Sequence, residues 1–320
     1  CQAEKFYSYL RKRRYEFMLM NTLIDLIIKI VIMIAVGIIL KKKNIIDDRV
    51  QSGLSDILLN VAVPCSLLAA GNAPFSQEIV ESLKDAAIME LFYYIGALVI
   101  TTLISRLLPI EQKAKKVFVT MSTFANVAFI GLPVVQEMFG SEALLCAVVF
   151  NLFYDLFFFT YGVYLLSNDG KFQLKSICTN LIAIASVVSI LVFLSPFRFP
   201  AVLEDTFDTL GSLSTPISMM IIGCNLAVTK PVEILKDKYS YMVSALRLLI
   251  FPLVVLVAAR FFHLDEMAVS VGVVMTALPA GSMNVILAEK YDCAPQFATR
   301  SVVQGMVLML ITLPLVIILI

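Results

Sequence analysis

Charge is scarce in this chain of 320 residues: only 15% are Asp, Glu, Lys or Arg, against about 25% in a soluble domain. Apolar residues fill the place, at 60% of the chain, and mean hydropathy is +0.91. A soluble fold is excluded, and the chain reads as an integral membrane protein. Histidine is scarcer still. The single one, His263, falls at an external helix end, so the Gly281-Ser282 pair has no intramembrane base and nucleophilic chemistry is not supported. No GxxxxGK[ST] loop is present, which argues against ATP-driven pumping by this chain. The six cysteines show no CxxC spacing and lie mostly in apolar segments. They read as small apolar residues, neither a disulfide framework nor a metal site. A net charge of +1 points to no nucleic acid or acidic macromolecule as partner, and no polar run is long enough for a separate soluble domain.

What the chain does contain is apolar segments, near 19–40, 53–71, 86–108, 114–138, 143–166, 174–195, 207–228, 240–262, 267–288 and 297–320. Each suits a span of roughly 20 residues. Ten spans put both termini on one side. Alternate connections hold fifteen Lys and Arg on one side, among them Lys41, Lys113, Lys116 and Lys290, against Lys84, Arg198 and Arg260 on the other. The richer side is cytoplasmic and the termini external. The basic tail 1–18 disagrees, and is read as an upstream extension or a basic amphipathic segment on the membrane surface. The remainder divides into 19–166, a short cytoplasmic loop at 167–173, and 174–320.

The two halves repeat. Pro64-Cys65-Ser66 followed by Gly71 recurs as Pro216-Ile217-Ser218 followed by Gly223, displaced by 152 residues, and Asn151 corresponds to Gln304. Five spans per copy is an odd number, so the second copy is inverted relative to the first. In each half one apolar segment carries helix breakers and polar groups at membrane depth: Asn126 with Gly131 and Pro133, and Pro279 with Gly281, Ser282 and Asn284. Backbone freed there survives only when buried in protein or lining a wet cavity. Two interrupted helices in matching places point to the binding site of a secondary transporter. An amide offers donors without the cost of a buried charge. With half-helix N-termini beside them, Asn126 and Asn284 suit a bound carboxylate; the alternative is that they cross-link helices.

Asp155, four residues after Asn151, is an intramembrane carboxylate and a candidate for carrying a proton or helping to bind sodium. The alternative is an ion pair with Arg247, which could instead attract the substrate anion. Glu90, at the outer part of the third span, is read as a wet boundary residue or a further proton-relay candidate, and Asp25 and Lys29 are expected to satisfy one another one turn apart. Ser66, Ser218 and Gln304 are candidates for lining the cavity, although serines in membrane helices often back-bond to their own helix.

The ten spans, Asn126 with Gly131-Leu132-Pro133, Pro279 with Asn284 and the Pro-Ser signature together resemble the auxin efflux carrier family, over essentially all of 20–320. The short connection after the fifth span is similar to the bacterial members. The resemblance implies an inverted five-plus-five helical fold like that of sodium/proton antiporters and bile-acid symporters, with helices 4 and 9 crossing. It implies elevator-like movement of spans 3–5 and 8–10 against a scaffold of spans 1, 2, 6 and 7, which could also form a homodimer. It implies an organic anion such as malate, malonate or auxin as substrate, no cofactor beyond a coupling proton or sodium ion, and a location in the cell membrane, the inner membrane of a bacterium. A cation antiporter on the same architecture and a metabolite-binding membrane sensor are the alternatives.

Overall fold

The computed structural model describes residues 25, 28–167, 178–228 and 237–320. The basic tail and nearly all of the 167–173 loop lie outside the described residues. In order come α1 (residues 28–42), α2 (Asp48–Gly71), α3 (Gln77–Leu107), α4 (Gln112–Thr123), α5 (Val127–Leu166), α6 (Leu181–Leu194), α7 (Ala201–Ala227), α8 (Lys238–Phe261), α9 (Glu266–Thr276), α10 (Ser282–Lys290) and α11 (Pro295–Leu319). Among the described residues no strand forms, and one isolated bridge, Ala125 to Ala280, is the sole β-type pairing.

Six of these helices, α2, α3, α5, α7, α8 and α11, are long and apolar enough to cross a membrane. The other apolar segments appear as shorter pieces. Segments four and nine are short because they are interrupted, after Thr123 and after Thr276. Within α5, Gly140 adopts φ 82 and splits the helix into two stretches, a conformation glycine enters at no steric cost.

Local chemistry accounts for the boundaries. Asp47 caps α2 by accepting from the Val50 amide at 2.8 Å, and Asp265 caps α9 by accepting from Met267 and Ala268, each at 3.0 Å. A wide π-turn precedes Pro64, Pro133 and Pro252, at Leu58–Ala62, Val127–Gly131 and Leu246–Ile250. Proline lacks an N–H and its ring crowds the carbonyl one turn back, and widening that turn relieves the clash. Pro133 therefore does not create an interruption, contrary to expectation; it shapes the helix that resumes beyond one.

Glycines bring α1, α2, α6 and α7 into backbone contact. A methyl group on Gly223 of α7 would fall 2.1 Å from the Ile34 carbonyl oxygen of α1, and one on Gly37 would fall 2.2 Å from the Met220 carbonyl oxygen. Gly71 of α2 meets Ser189 of α6 in the same manner, its added methyl 2.6 Å from the Ser189 carbonyl oxygen, while the Ser189 hydroxyl donates to the Leu67 carbonyl at 2.6 Å. Small residues at membrane helix interfaces allow such approach, and dispersion between the backbones supplies the attraction. Lys29 of α1, expected to pair with Asp25, pairs instead with Glu137 of α5. On the opposite end of the fold Asp292 pairs with Lys113 at 2.6 Å, which holds its carboxyl below the usual carboxylate range.

Gly223→Ala should lower the thermal unfolding midpoint in detergent and the yield of monodisperse protein. Gly53→Ala in α2, where an added methyl meets nothing within 4 Å, should be neutral or stabilising by up to about 1 kcal/mol. Equal behaviour of the two variants in a thermal-shift measurement would contradict the backbone contact.

Candidate functional site

The two interruptions are joined to each other. Phe124, after α4, is extended (φ −100, ψ 110), and Asn126 is also non-helical (φ −84, ψ 66). Between α9 and α10 the backbone leaves the helix at Ala277 and is extended at Gly281 (φ −72, ψ 139). The Asn126 amide donates to the Pro279 carbonyl at 2.9 Å, and the Gly281 amide donates to the Phe124 carbonyl at 3.0 Å. Pro279 costs this pairing nothing, because only its carbonyl is used. Gly281 is required: a methyl group there would lie 2.7 Å from the Ala125 carbonyl oxygen. On the far side, Gly305 of α11 admits Pro279, whose Cβ would stand 3.0 Å from an added methyl.

Arg247 of α8 binds both helices that stop here. Its side chain is fully buried. Nη1 donates to the Thr123 carbonyl at 2.7 Å, the Ser122 carbonyl at 3.3 Å and the Tyr93 hydroxyl at 3.1 Å. Nε donates to the Leu278 carbonyl at 2.8 Å and Nη2 to the Thr276 carbonyl at 3.4 Å. These are the bare carbonyls at the C-terminal ends of α4 and α9, where the helix dipole is negative. The expected ion pair of Arg247 is thereby corrected. No ion pair joins it to Asp155 among the described residues, and its hydrogen-bond partners there are four backbone carbonyls and the Tyr93 hydroxyl.

Asn126 and Asn284 are both buried at this junction, and they do different things. Asn284, in the first turn of α10, donates through Nδ2 to the Phe124 carbonyl at 3.2 Å and the Gly281 carbonyl at 3.0 Å. Both partners only accept, so the amide orientation is fixed; its Oδ1 is buried with no hydrogen-bond partner among the described residues. The Asn126 side chain makes no hydrogen bond to the described residues, while its carbonyl accepts from Ile130 and Gly131. Ser282 is half-buried at the start of α10, and Gly131 lies in the π-turn, where an added methyl would be 2.7 Å from Met275 Sδ.

The first stretch of α5 is fastened to α2 and α7. Ser66 Oγ donates to Gln136 Oε1 at 2.7 Å, Thr215 Oγ1 donates to the Pro133 carbonyl at 3.2 Å, and Ser218 Oγ donates to the Phe129 carbonyl. Neither serine of the Pro-Ser signature back-bonds to its own helix. Pro64 and Pro216 stand beside them, where α2 resumes beyond its π-turn and where the second stretch of α7 begins at Ser214. Gln136 and Thr215 were not singled out in the sequence, although Thr215 adjoins the signature directly. Asp155 is buried and accepts from Asn151 Nδ2 at 3.1 Å. Gln304 is buried in α11 beside Gly305. Glu90 is fully enclosed in α3, which corrects its reading as a wet boundary residue.

These features define a multi-pass helical membrane protein of the transporter class. A family model described as a membrane transport protein matches residues 22–317, and the chain belongs to that family, the auxin efflux carriers. It is similar to an uncharacterized transporter of Methanocaldococcus jannaschii, 22% identical over 278 residues covering 84% of this chain and 89% of that one. A second uncharacterized transporter, of Methanothermobacter thermautotrophicus, is 23% identical over 297 residues, 91% of this chain and 96% of that one. Auxin efflux carrier component 1 of Arabidopsis thaliana is 25% identical over 127 residues, 40% of this chain and 20% of that protein.

Arg247→Met should lower the thermal unfolding midpoint strongly, since each buried carbonyl left bare costs about 1–3 kcal/mol. Arg247→Lys, which keeps the charge and loses the fork, should recover part of the loss. Differential scanning fluorimetry in detergent checks the order wild type, Lys, Met.

Proposed function

We propose that the protein is a secondary transporter of small organic anions, monocarboxylates or dicarboxylates such as malate, malonate or auxin-like acids, and that the junction of the two interruptions receives the anion. The observation that carries this reading is the electrostatic asymmetry there. The negative C-terminal ends of α4 and α9 are covered by the Arg247 guanidinium. The N-terminal ends of α5 and α10 begin at the same place, and their first amides have no intrahelical acceptor. Uncovered positive dipole ends beside a buried cation favour a negative guest. Asn126, with its side-chain amide uncommitted, offers a direct donor to the substrate carboxylate; Asn284 holds the two interruptions in register. Ser282, Gly131, Pro133, Pro279, Gly281, Asn151 and Gln304 shape the surroundings.

The fold is read as ten spans in an inverted five-plus-five repeat, with the α4/α5 and α9/α10 segments crossing and Gly140 separating the fourth span from the fifth. Its support is the glycine contacts: Gly71 with Ser189 and Gly223 with Gly37 are related by the same 152-residue displacement as the Pro-Ser signature. The spans that these glycines clamp, 1, 2, 6 and 7, form the scaffold and the dimer face. Spans 3–5 and 8–10 form the unit that moves in an elevator-like cycle. Asp155 and Glu90 are the carboxyls available for coupling to a proton or sodium ion. A cation antiporter on this architecture is the second reading; amides and an arginine in place of acidic residues at the junction disfavour it. The proposed location is a cell membrane, with both termini external.

Uptake of labelled malate, malonate and indole-acetate into proteoliposomes tests the substrate class. Asn126→Ala should abolish uptake and leave the unfolding midpoint near wild type, while Asn284→Ala should lower both; wild-type uptake by the two variants would remove them from the site. The moving unit has its own test. In a Cys65→Ser background, Ser66→Cys with Gln136→Cys bridged by a short thiol-specific crosslinker should arrest uptake, and reductive release should restore it. Unchanged uptake in the bridged protein would contradict relative motion of α5 and α2.

A further inference from the structure

Glu90 is a buried carboxyl that the junction leaves without a partner. It sits in α3 one turn before Tyr93 and Tyr94, is 0% exposed, and neither of its carboxyl oxygens has a hydrogen bond among the described residues. The Tyr94 hydroxyl is unbonded too. Across the interface Gly272 of α9 makes room for the neighbouring Met89, whose Cε would stand 2.0 Å from an added methyl, and Glu90 Oε1 lies at ordinary contact distance from the same point, 3.8 Å. The titratable groups that it faces are Tyr93 and Tyr94 on its own helix, and the Tyr93 hydroxyl is in turn bonded to Arg247 of α8; from α9 it meets Gly272. A carboxylate with no donor inside a membrane protein costs several kcal/mol. Taking up a proton removes that cost, so Glu90 is a place where a proton can be held.

Arg247 gives that proton a consequence. Its guanidinium reaches the Tyr93 hydroxyl at 3.1 Å and is otherwise spent on backbone carbonyls, with no carboxylate bonded to it among the described residues. Tyr93 links this cation to Glu90, so two negative groups can balance it: Glu90 once ionised, across Tyr93, or the carboxylate of an anion at the α5 and α10 N-termini. In a low dielectric the two compete, because both together leave one charge in excess. An arriving anion keeps the proton on Glu90, and a departing anion favours its release. By linkage the effect is reciprocal, a bound proton strengthening anion binding.

We propose that Glu90 is the proton-binding residue of an anion–proton symporter, one proton bound at the α3 carboxyl for each anion bound at the junction. The proposal rests on the anion reading above and adds the coupling ion, its site and its direction. The proton adds to the Glu90 carboxylate on one side of the membrane and leaves it on the other, with no other bond made or broken.

The test uses purified protein in proteoliposomes with labelled malonate and an imposed pH gradient, acid outside. Wild type should accumulate label in response to the gradient, and its affinity for malonate should fall as pH rises. Glu90→Gln should lose the gradient response and bind malonate with no dependence on pH, while malonate counterflow, which needs no net proton movement, separates lost coupling from lost carriage. A gradient response retained by Glu90→Gln overturns the proposal, and its loss in Asp155→Asn alone assigns the proton to Asp155. Infrared difference spectroscopy decides the site without transport. The carbonyl band of a neutral carboxylic acid should vanish in Glu90→Gln, or shift in Glu90→Asp if the first variant does not fold; its persistence unchanged also overturns the proposal. If the wild type shows no malonate counterflow, the anion reading fails for this probe, and the infrared result alone stands for or against the proton site.

Discussion

A guanidinium inside a membrane protein must find an acceptor for every N–H it carries, and four carbonyls at the ends of two broken helices must find donors. In this protein each solves the problem of the other. Arg247 spans the C-terminal ends of α4 and α9, the two places where the chain leaves the helix at a depth that lipid would not tolerate. Neither partner could be buried alone. The covering is also one-sided, since it quenches the negative ends and leaves the positive ones, and the chemistry proposed for the junction follows from that imbalance.

The remaining contacts serve the same geometry. Gly281 lets the two extended stretches touch, Asn284 binds carbonyls from both, and Gly305 admits Pro279 against α11. Around this knot a dense aromatic layer of Tyr94, Phe124, Phe150, Phe157 and Phe158 packs with ring centroids 5.1–6.0 Å apart. Such rings are large and hold few rotamers, so the layer fixes the ends of the interrupted helices as well as excluding water from them. The polar links from α5 to α2 and α7 are of another kind: single hydrogen bonds from serine and threonine, which in membrane proteins contribute roughly 0.6–2 kcal/mol each. The tight and the loose interfaces are thus distributed unequally about the molecule.

The positions of both interruptions were legible in the sequence, because a polar amide beside proline or glycine inside an apolar run is costly in lipid unless the backbone there is broken and enclosed by protein. The cause of the first was not. Pro133 looked responsible, yet it lies beyond the break and produces a π-turn, while Phe124–Asn126 carries no breaker at all and is held open by pairing with residues more than 150 positions away. Arg247 was similarly readable as a cation in need of a partner, but backbone carbonyls leave no trace in the side-chain pattern, so a carboxylate was the natural expectation. Lys29 failed for a comparable reason: Asp25 is one turn away in sequence, and the partner Lys29 takes is Glu137 of α5, more than a hundred positions further on. The glycine spacing, by contrast, marked the repeat in the sequence, and the structure supplies its cause, since only absence of a side chain permits the backbones to meet there.

The bridge between Ala125 and Ala280 also bears on how the chain is made. While a ribosome is delivering the first half to the bilayer, the Asn126 amide and the Phe124 carbonyl have no partners, because Pro279 and Gly281 have not yet been synthesised. The earlier helices therefore wait in the membrane with an open seam, shielded by translocation machinery or by water. Closure comes only when the late segment threads into place, which makes the junction a point at which an incomplete chain is exposed to quality control.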